Sequence, residues 1–197
     1  MKGARPRGRP ASQKLDHDFI EAAIALLKEK GSFDAVSVEA VSARAGASKV
    51  SFYRRWADRD RFILAVIDSL REPPLPDGPS ASLRADLIGV LEGMFGYDPQ
   101  RTRLVHSALV AKSRKSPTFT HLLFRDIVAP RRKALLDRIR LGITRGELDP
   151  DIDVTAFFEL ITAPILKVMM LNDPDQPIPH RLAERVVDQA LKGALPR

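Results

Sequence analysis

The chain has 197 residues, of which 44% are hydrophobic and 29% charged, a composition typical of one or two globular domains with a substantial core. It contains no cysteine, which excludes disulfide bonds, thiolate metal sites and cysteine catalysis. The net charge of +7 is uneven, since residues 1–61 hold thirteen Lys or Arg against eight Asp or Glu. This excess indicates either a polyanionic partner, usually nucleic acid, or a surface charged only for solubility.

The first residues, Met1 to Gln13, are rich in Gly, Pro and basic side chains and predict a flexible basic arm, which we extend to residue 15. No apolar stretch follows them and no run in the chain would span a bilayer, so we expect a cytoplasmic protein without a membrane partner. Arg7-Gly8-Arg9-Pro10 resembles the core of an AT-hook, in which Arg7 and Arg9 would enter a narrow minor groove. A solvated tail with only non-specific attraction explains these residues equally well.

The rest of the chain has helical spacing of its apolar residues and no strand-like alternation, so we predict an all-α fold. The first helix should open at Asp16 or Asp18 and end at Gly31. Prolines and glycines then divide the chain into further predicted helices at 38–45, 49–56, 59–71, 82–96, 100–113, 117–128, 130–145, 153–172 and 179–193.

Residues 37–56 carry the strongest functional signal, because two short helices capped by Ser37 and Ser48 meet at Gly46. Phe52 and Trp56 should face inward from the second helix. Its other side carries donors of the kind that bind phosphates and base edges, namely Ser48, Lys49, Ser51, Tyr53, Arg54 and Arg55. A hairpin with a merely solvated basic face is the alternative, but the aromatic and basic strip favours DNA binding in the major groove.

Residues 17–66 resemble the N-terminal domain of the TetR family of bacterial regulators. The resemblance rests on four segments in matching order and spacing: Glu29-Lys30-Gly31, Ser37-Val38, 45–56 and 58–62. Ser42 stands where the family has Ala, and Trp56 where it has Phe. Val50 stands where the family has Gly at the start of the recognition helix, and it should alter which bases are tolerated.

The resemblance implies a role for individual residues and for three parts of the chain. Lys49 and Tyr53 would bind phosphates, while Val50, Ser51 and Arg54 would read bases. Further contacts with the DNA backbone would come from Ser37, Arg44, Ser48 and Arg59. The implied parts are the flexible arm at 1–15, a helix-turn-helix domain at 16–61, and a regulatory domain at 62–197 that binds a ligand and dimerises.

The segments 129–136 and 145–153 resemble one subgroup of TetR C-terminal domains. This implies that the last two helices form a four-helix bundle with a second subunit, with interface candidates Phe157, Ile165, Val168, Leu182, Val186 and Leu191. It also implies a pocket for a small-molecule effector, with candidates Leu91, Met94, Phe95, Leu104, His106, Phe119, Leu123, Ile161 and Met169. Ordinary intrachain core is the alternative for each of these residues.

These features predict a transcriptional regulator, by resemblance a repressor, that binds a palindromic operator in double-stranded DNA as a homodimer and is released by a small apolar ligand. An activator with the same fold is compatible with this sequence. The four histidines are scattered and no catalytic motif occurs, so we predict no enzyme activity, catalytic residue, metal site or cofactor. The main alternative is an architectural DNA-binding protein of low specificity.

Overall fold

The computed structural model describes residues 9–70, 78, 80, 82–96, 98–171 and 176–194, with side chains from Ser12 onward. Every regular element in these ranges is helical, which confirms the predicted all-α fold. The α-helices there are α1 (Arg9–Lys30), α2 (Val38–Arg44), α3 (Lys49–Tyr53), α4 (Arg59–Ser69), α5 (Leu83–Gly93), α6 (Pro99–Lys115), α7 (Pro117–Leu123), α8 (Ala129–Thr144), α9 (Val154–Met170) and α10 (Leu182–Lys192). A 3-10 turn at Phe33–Ala35 follows α1, and a π-helical segment at Phe124–Val128 joins α7 to α8.

Short polar side chains cap the starts of α2, α3 and α4, as the sequence predicts. The backbone N–H of Ala40 donates to the Ser37 hydroxyl at 3.2 Å, and that of Ser51 donates to the Ser48 hydroxyl at 3.1 Å. The backbone N–H of Arg61 donates to the Asp58 carboxylate at 2.8 Å. Since a cap of this kind typically contributes about 1 kcal/mol, it fixes where a short helix begins.

The predicted start of α1 at Asp16 or Asp18 is wrong, because the helix begins at Arg9. Residues 9–15 of the predicted flexible arm are therefore helical, while Arg7 lies outside the described residues. Lys14 pairs with Asp18 one turn later at 2.9 Å, and Leu15 packs against the first core. These contacts stabilise the early turns, and a proline in the first turn of a helix costs no internal hydrogen bond.

Helices α1 to α4 enclose one hydrophobic core, to which α6 and α7 also contribute. Phe19, Phe52 and Phe119 are fully buried in it. The predicted domain boundary after residue 61 falls within α4, whose apolar residues from Phe62 onward belong to this same core. Helix α4 is thus an integral part of the N-terminal unit and also contacts the helices that follow.

A second core is formed by α5, α8, α9 and α10. Helices α5 and α8 approach closely at Gly142, where an added Cβ would lie 2.3 Å from Cδ2 of Leu83. Helix α9 supplies the fully buried Ile161 and Ile165 and continues past Pro164 to Met170. In the described ranges, no helix combines the length and apolarity needed to cross a membrane.

Candidate DNA-binding surface and ligand cavity

Helices α2 and α3 form the predicted helix-turn-helix. Gly46 lies in the turn with φ of +63°, a left-handed conformation that glycine adopts without strain. The N–H of Ala47 donates to the carbonyl of Ser42 at 2.9 Å and closes the end of α2. Ser42 is buried, which agrees with the small residue that the family resemblance implies there.

An aromatic cluster of Phe19, Phe52, Trp56 and Phe62 anchors α3. The Phe52 ring centroid lies 5.7 Å from that of Phe19, 5.3 Å from that of Trp56 and 4.9 Å from that of Phe62. Helix α3 ends at Tyr53, before its predicted end at Trp56, yet Trp56 still packs inward. A helix of five residues is unstable alone, so this buried side holds α3 in place.

The opposite side of α3 faces solvent. Val50 is 76% exposed and Tyr53 is 54% exposed, and Lys49 and Arg54 are exposed beside them. Ser51 is half-buried at the start of this face. The predicted backbone-contacting residues Ser37, Arg44 and Ser48 are likewise exposed. The structure therefore leaves these predicted contact residues accessible around α2 and α3.

Two cations of this surface already hold carboxylates of the same chain. Lys49 Nζ lies 2.8 Å from Glu39, and the Arg44 guanidinium lies 2.6 Å from Glu29. The hydrogen bond in each pair lowers the pKa of the carboxyl group and raises the pKa of the cation. All four side chains are exposed, so both pairs are weak and a phosphate can replace either carboxylate.

Two other arginines have structural partners. The Arg55 side chain is only 12% exposed, pairs with Asp16 of α1, and donates to the carbonyl of Ser51 at 2.9 Å. Arg59, which the resemblance assigns to the DNA backbone, is half-buried and donates to the carbonyl of Phe33. This bond ties the start of α4 to the 3-10 turn, while the contact of Arg59 with the DNA backbone stays a prediction.

The predicted minor-groove arm is only partly described. Arg9 is the first residue of α1 and Pro10 follows it within the helix, so this half of the AT-hook-like segment is not a flexible chain. Arg7 lies outside the described residues.

A cavity of about 460 Å³ lies among α4, α5, α6, the π-helical segment, α8 and α9. Of the predicted pocket residues, Met94, His106 and Leu123 line it. The remaining candidates do not line this cavity and belong to the two hydrophobic cores: Leu91, Phe95, Leu104, Phe119, Ile161 and Met169. The helical spacing of apolar residues did not indicate which side of each helix faces the cavity.

The sequence analysis missed the charged part of the lining, formed by Arg131, Arg132 and Glu159. Arg131 Nη2 lies 2.7 Å from the carboxylate of Asp68, near the end of α4. The Arg132 guanidinium lies 5.0 Å from the ring centroid of Phe158 and 3.7 Å from Glu159. Two adjacent arginines in a helix were the available signal, but nothing local indicated that both would border a cavity.

His106 lines the same cavity, and its Nδ1 is buried without a hydrogen-bond partner. Burial and the nearby positive charge of Arg131 lower its pKa to about 4. A hydrogen bond with the backbone of Thr102 opposes this shift without cancelling it, so the imidazole is neutral near pH 7. No group of three or more His, Cys, Asp or Glu placed to hold a metal ion occurs among the described residues.

Ion pairs connect the cavity walls to α4 along its length. Near the start of α4, Arg61 pairs with Asp126 of the π-helical segment. Asp60 lies 2.9 Å from Lys112, a buried α6 cation that also lies 4.7 Å from the ring centroid of Phe119. With Asp68 held by Arg131 at the other end, α4 has a polar connection to three elements that surround the cavity.

An exposed groove, largely apolar, runs between α9 and α10. Leu160 is 59% exposed and lines the groove with Pro164, Leu182 and Val186, so two predicted interface residues lie there. Leu191 is half-buried at the edge of the second core. The other interface candidates were wrongly assigned, because the intrachain core buries Phe157, Ile165 and Val168.

A capped helix-turn-helix on an aromatic core, joined to a larger helical unit, defines a DNA-binding transcriptional regulator. The chain matches the family model described as bacterial regulatory proteins, tetR family, over residues 19–66. It matches the model described as tetracyclin repressor-like, C-terminal domain, over residues 76–190. The chain therefore belongs to the TetR family of transcriptional regulators.

Individual relatives agree with this assignment. The chain is 28% identical over 192 residues to an uncharacterized HTH-type transcriptional regulator of Bacillus subtilis, YdeS, covering 95% of this chain and 93% of that protein. The structure of MexZ, a key repressor responsible for antibiotic resistance in Pseudomonas aeruginosa, matches with a TM-score of 0.66 and 20% identity, covering 92% and 94% of the two chains. The fatty acid degradation regulator FadR of Bacillus halodurans matches with a TM-score of 0.68 and 14% identity, covering 90% and 98%. The two structural matches show a common fold.

Proposed function

We propose that this chain is a cytoplasmic repressor that binds a palindromic operator as a homodimer and is released when a small molecule occupies its cavity. The main support for this proposal is the exposed face of α3. Its side chains Lys49, Val50, Tyr53 and Arg54 lie opposite the buried aromatic cluster. No intrachain packing requires a 76% exposed valine among these donors.

Each side chain of this face has a proposed DNA partner. Lys49 and Tyr53 bind phosphate oxygens, and Lys49 exchanges Glu39 for a phosphate when it does so. Arg54 and Ser51 donate to base edges in the major groove, and Val50 contacts a thymine methyl group. Ser37, Ser48 and Arg44 lie at the rim and contact the DNA backbone, with the helix starts at Ser37 and Ser48 contributing backbone N–H groups.

The groove between α9 and α10 is the proposed dimer surface. Leu160, Pro164, Leu182 and Val186 leave an apolar strip that a second copy of the same two helices would cover as a four-helix bundle. A dimer also suits the small size of α3, because one five-residue helix reads too few bases for specific binding. Two copies related by a two-fold axis read two half-sites and so require a palindrome.

Release follows from the polar connections of α4. A ligand that alters the position of the π-helical segment or of Arg131 acts on Arg61 and Asp68, at opposite ends of α4. Because α4 shares its core with α3, the resulting state holds the two recognition helices at a different separation. The ligand can lower operator affinity only to the extent that it binds this state more tightly than the DNA-binding state.

The repressor role is supported by the fold-level likeness to MexZ, which is described as a repressor. An activator would use the same DNA-binding surface. Transcription from a promoter that contains the operator distinguishes the two, because a repressor lowers transcript levels until the ligand is added, whereas an activator raises them.

An architectural DNA-binding protein is the competing function, and salt titration distinguishes it. Binding of the full chain is measured by fluorescence anisotropy with a selected duplex and a scrambled duplex of equal composition, from about 50 to 200 mM salt. We expect the selected duplex to be favoured by roughly 10³ or more at the higher salt concentration. Equal affinities with the same steep salt dependence would instead support the architectural function.

A further inference from the structure

The cavity combines an apolar interior with an uneven distribution of charge. Most of its lining comes from apolar side chains, while its ionisable residues are His106, Arg131, Arg132 and Glu159. Glu159 is largely exposed and faces Arg132, so it does not offset the charge of Arg131 beside His106. Asp68 pairs with Arg131 but does not itself line the cavity, so the charged group that borders the cavity beside His106 is the Arg131 guanidinium.

Arg131 is available to a ligand at low cost. Its present partner Asp68 has a side chain that is 65% exposed, and exposed ion pairs contribute little to stability. A carboxylate inside the cavity would meet the same guanidinium where less water competes for it. A charge-assisted hydrogen bond made there is stronger than the one that Asp68 makes in solvent.

His106 supplies a second polar group. Its imidazole interacts with the backbone of Thr102, yet its buried Nδ1 has no partner with full hydrogen-bond geometry, although buried polar atoms are normally paired. A ligand oxygen would satisfy this atom. The positive charge of Arg131 at the same place disfavours a cationic head group and leaves a neutral one without a charge partner.

We infer that the cavity binds an apolar molecule carrying one carboxylate, with Arg131 exchanging Asp68 for the ligand carboxylate and His106 Nδ1 providing a second hydrogen bond. This inference rests on the proposed function, because it names the chemical class of the releasing ligand. The apolar part of the ligand lies among side chains such as Met94, Leu123 and Ile127. Phe124, Val128 and Leu166 line the cavity yet remain at least 36% exposed, so they mark its opening to solvent.

The test compares three probes that share one tail and differ only in the head group: decanoate, decan-1-ol and decylamine. Each is titrated into the full-length protein by isothermal calorimetry at pH 7.5, below its micelle concentration. Decanoate should bind roughly tenfold or more tightly than decan-1-ol, and decylamine should bind most weakly. Equal binding, a preference for either other probe, or no binding of decanoate would overturn the inference.

Two variants with opposite expected effects test the role of Arg131. Arg131→Gln should lose the preference for decanoate over decan-1-ol, whereas Asp68→Asn should tighten decanoate binding by removing the competing carboxylate. Arg132→Gln is the matched control, since it removes the adjacent guanidinium and should retain the preference. If Asp68→Asn weakens decanoate binding, or if Arg132→Gln alone abolishes the preference, the proposed exchange is wrong.

Operator binding, measured with the same protein preparations, distinguishes a failure of the proposed ligand class from a failure of the proposed function. A protein that binds its operator specifically but prefers decan-1-ol or decylamine contradicts only the ligand class. A protein that prefers decanoate but binds no operator contradicts the proposed function and leaves the cavity chemistry standing.

Discussion

At the start of α3, Lys49 is held by Glu39 of α2 at 2.8 Å. If Lys49 binds a DNA phosphate as proposed, that phosphate competes with the carboxylate of Glu39. The same applies to Arg44, which Glu29 holds at 2.6 Å. Each carboxylate carries the same single negative charge as a DNA phosphate, so under the proposed function Glu39 and Glu29 compete with DNA for these two cations.

Replacing Glu39→Gln should therefore strengthen DNA binding. The change releases Lys49 and removes a negative charge near the phosphates, so we expect affinity for selected and scrambled duplexes to rise roughly twofold to fivefold at low salt. Anisotropy titrations measure this effect. Glu92→Gln, on the exposed side of α5, alters the net charge equally and serves as the control. Unchanged or weaker binding by Glu39→Gln would show that the Lys49 pair does not compete with DNA.

His106 should make stability depend on pH. Its pKa of about 4 in the folded protein is below the ordinary value of 6.5, so the unfolded chain binds more protons between these values. Folding stability should thus fall as the pH decreases from 6.5 towards 4. At pH 5 the loss relative to pH 7.5 is about 2 kcal/mol, and His106→Phe should remove it. Urea unfolding of both proteins at the two pH values tests this, and an identical pH dependence would contradict it.

For the helices, the sequence predicts where a helix begins better than it predicts which side of the helix faces the core or the cavity. The starts of α2, α3 and α4 depend on local caps at Ser37, Ser48 and Asp58, which a sequence displays directly. The start of α1 was missed because Leu15 gains its contacts only in the folded chain. The sequence likewise did not indicate that Leu91 and Ile161 face the second core and do not line the cavity, since packing between helices decides how each helix is rotated.

The predicted helix at 117–128 illustrates a second limit. It is α7 followed by the π-helical segment Phe124–Val128, whose wider turn is stabilised by tertiary contacts that periodicity does not reveal. One side of this segment borders the cavity through Phe124 and Ile127, while Asp126 reaches Arg61 of α4. A regular α-helix would present these side chains in different directions.

The contact between α5 and α8 gives a prediction with an internal control. Gly142→Ala places a methyl group 2.3 Å from the buried Leu83 side chain, so it should destabilise the protein by about 1–3 kcal/mol. Gly89→Ala adds the same group on α5 where no atom lies within 4 Å, and it should stabilise by up to about 1 kcal/mol. Chemical unfolding measures both changes. Equal effects of the two substitutions would mean that α5 and α8 are not closely packed at Gly142.

For the whole molecule, the proposed binding to a palindrome requires two copies of the chain acting together. The apolar strip around Leu160 is the part of α9 and α10 that the intrachain core leaves uncovered. The sequence analysis assigned the dimer interface to α9 and α10, and its candidates Leu182 and Val186 line the groove, whereas Phe157 and Ile165 lie on the buried side of α9. An amphipathic pattern does not distinguish a residue that faces its own core from one that faces a partner.

Leu160→Glu should convert the dimer into monomers. A charge buried in an apolar interface without a partner is costly, and the 59% exposure of Leu160 means that the fold of one chain need not change. Sedimentation should report the monomer mass, and specific operator affinity should fall by at least roughly 10²-fold because each half-site is bound alone. Circular dichroism checks that the helices persist. A dimer that retains its mass would place the interface elsewhere.

Selection of bound duplexes from a random pool by this protein tests sequence specificity and dimeric binding together. We expect an enriched palindrome whose half-sites lie about one DNA turn apart, or a multiple of it, bound by an even number of protomers. Lys49→Gln or Arg54→Gln should then lose this enrichment while the fold is retained. A bound pool with no enriched sequence, or an asymmetric site bound by a single protomer, would show that the chain is not a dimeric, sequence-specific DNA-binding protein.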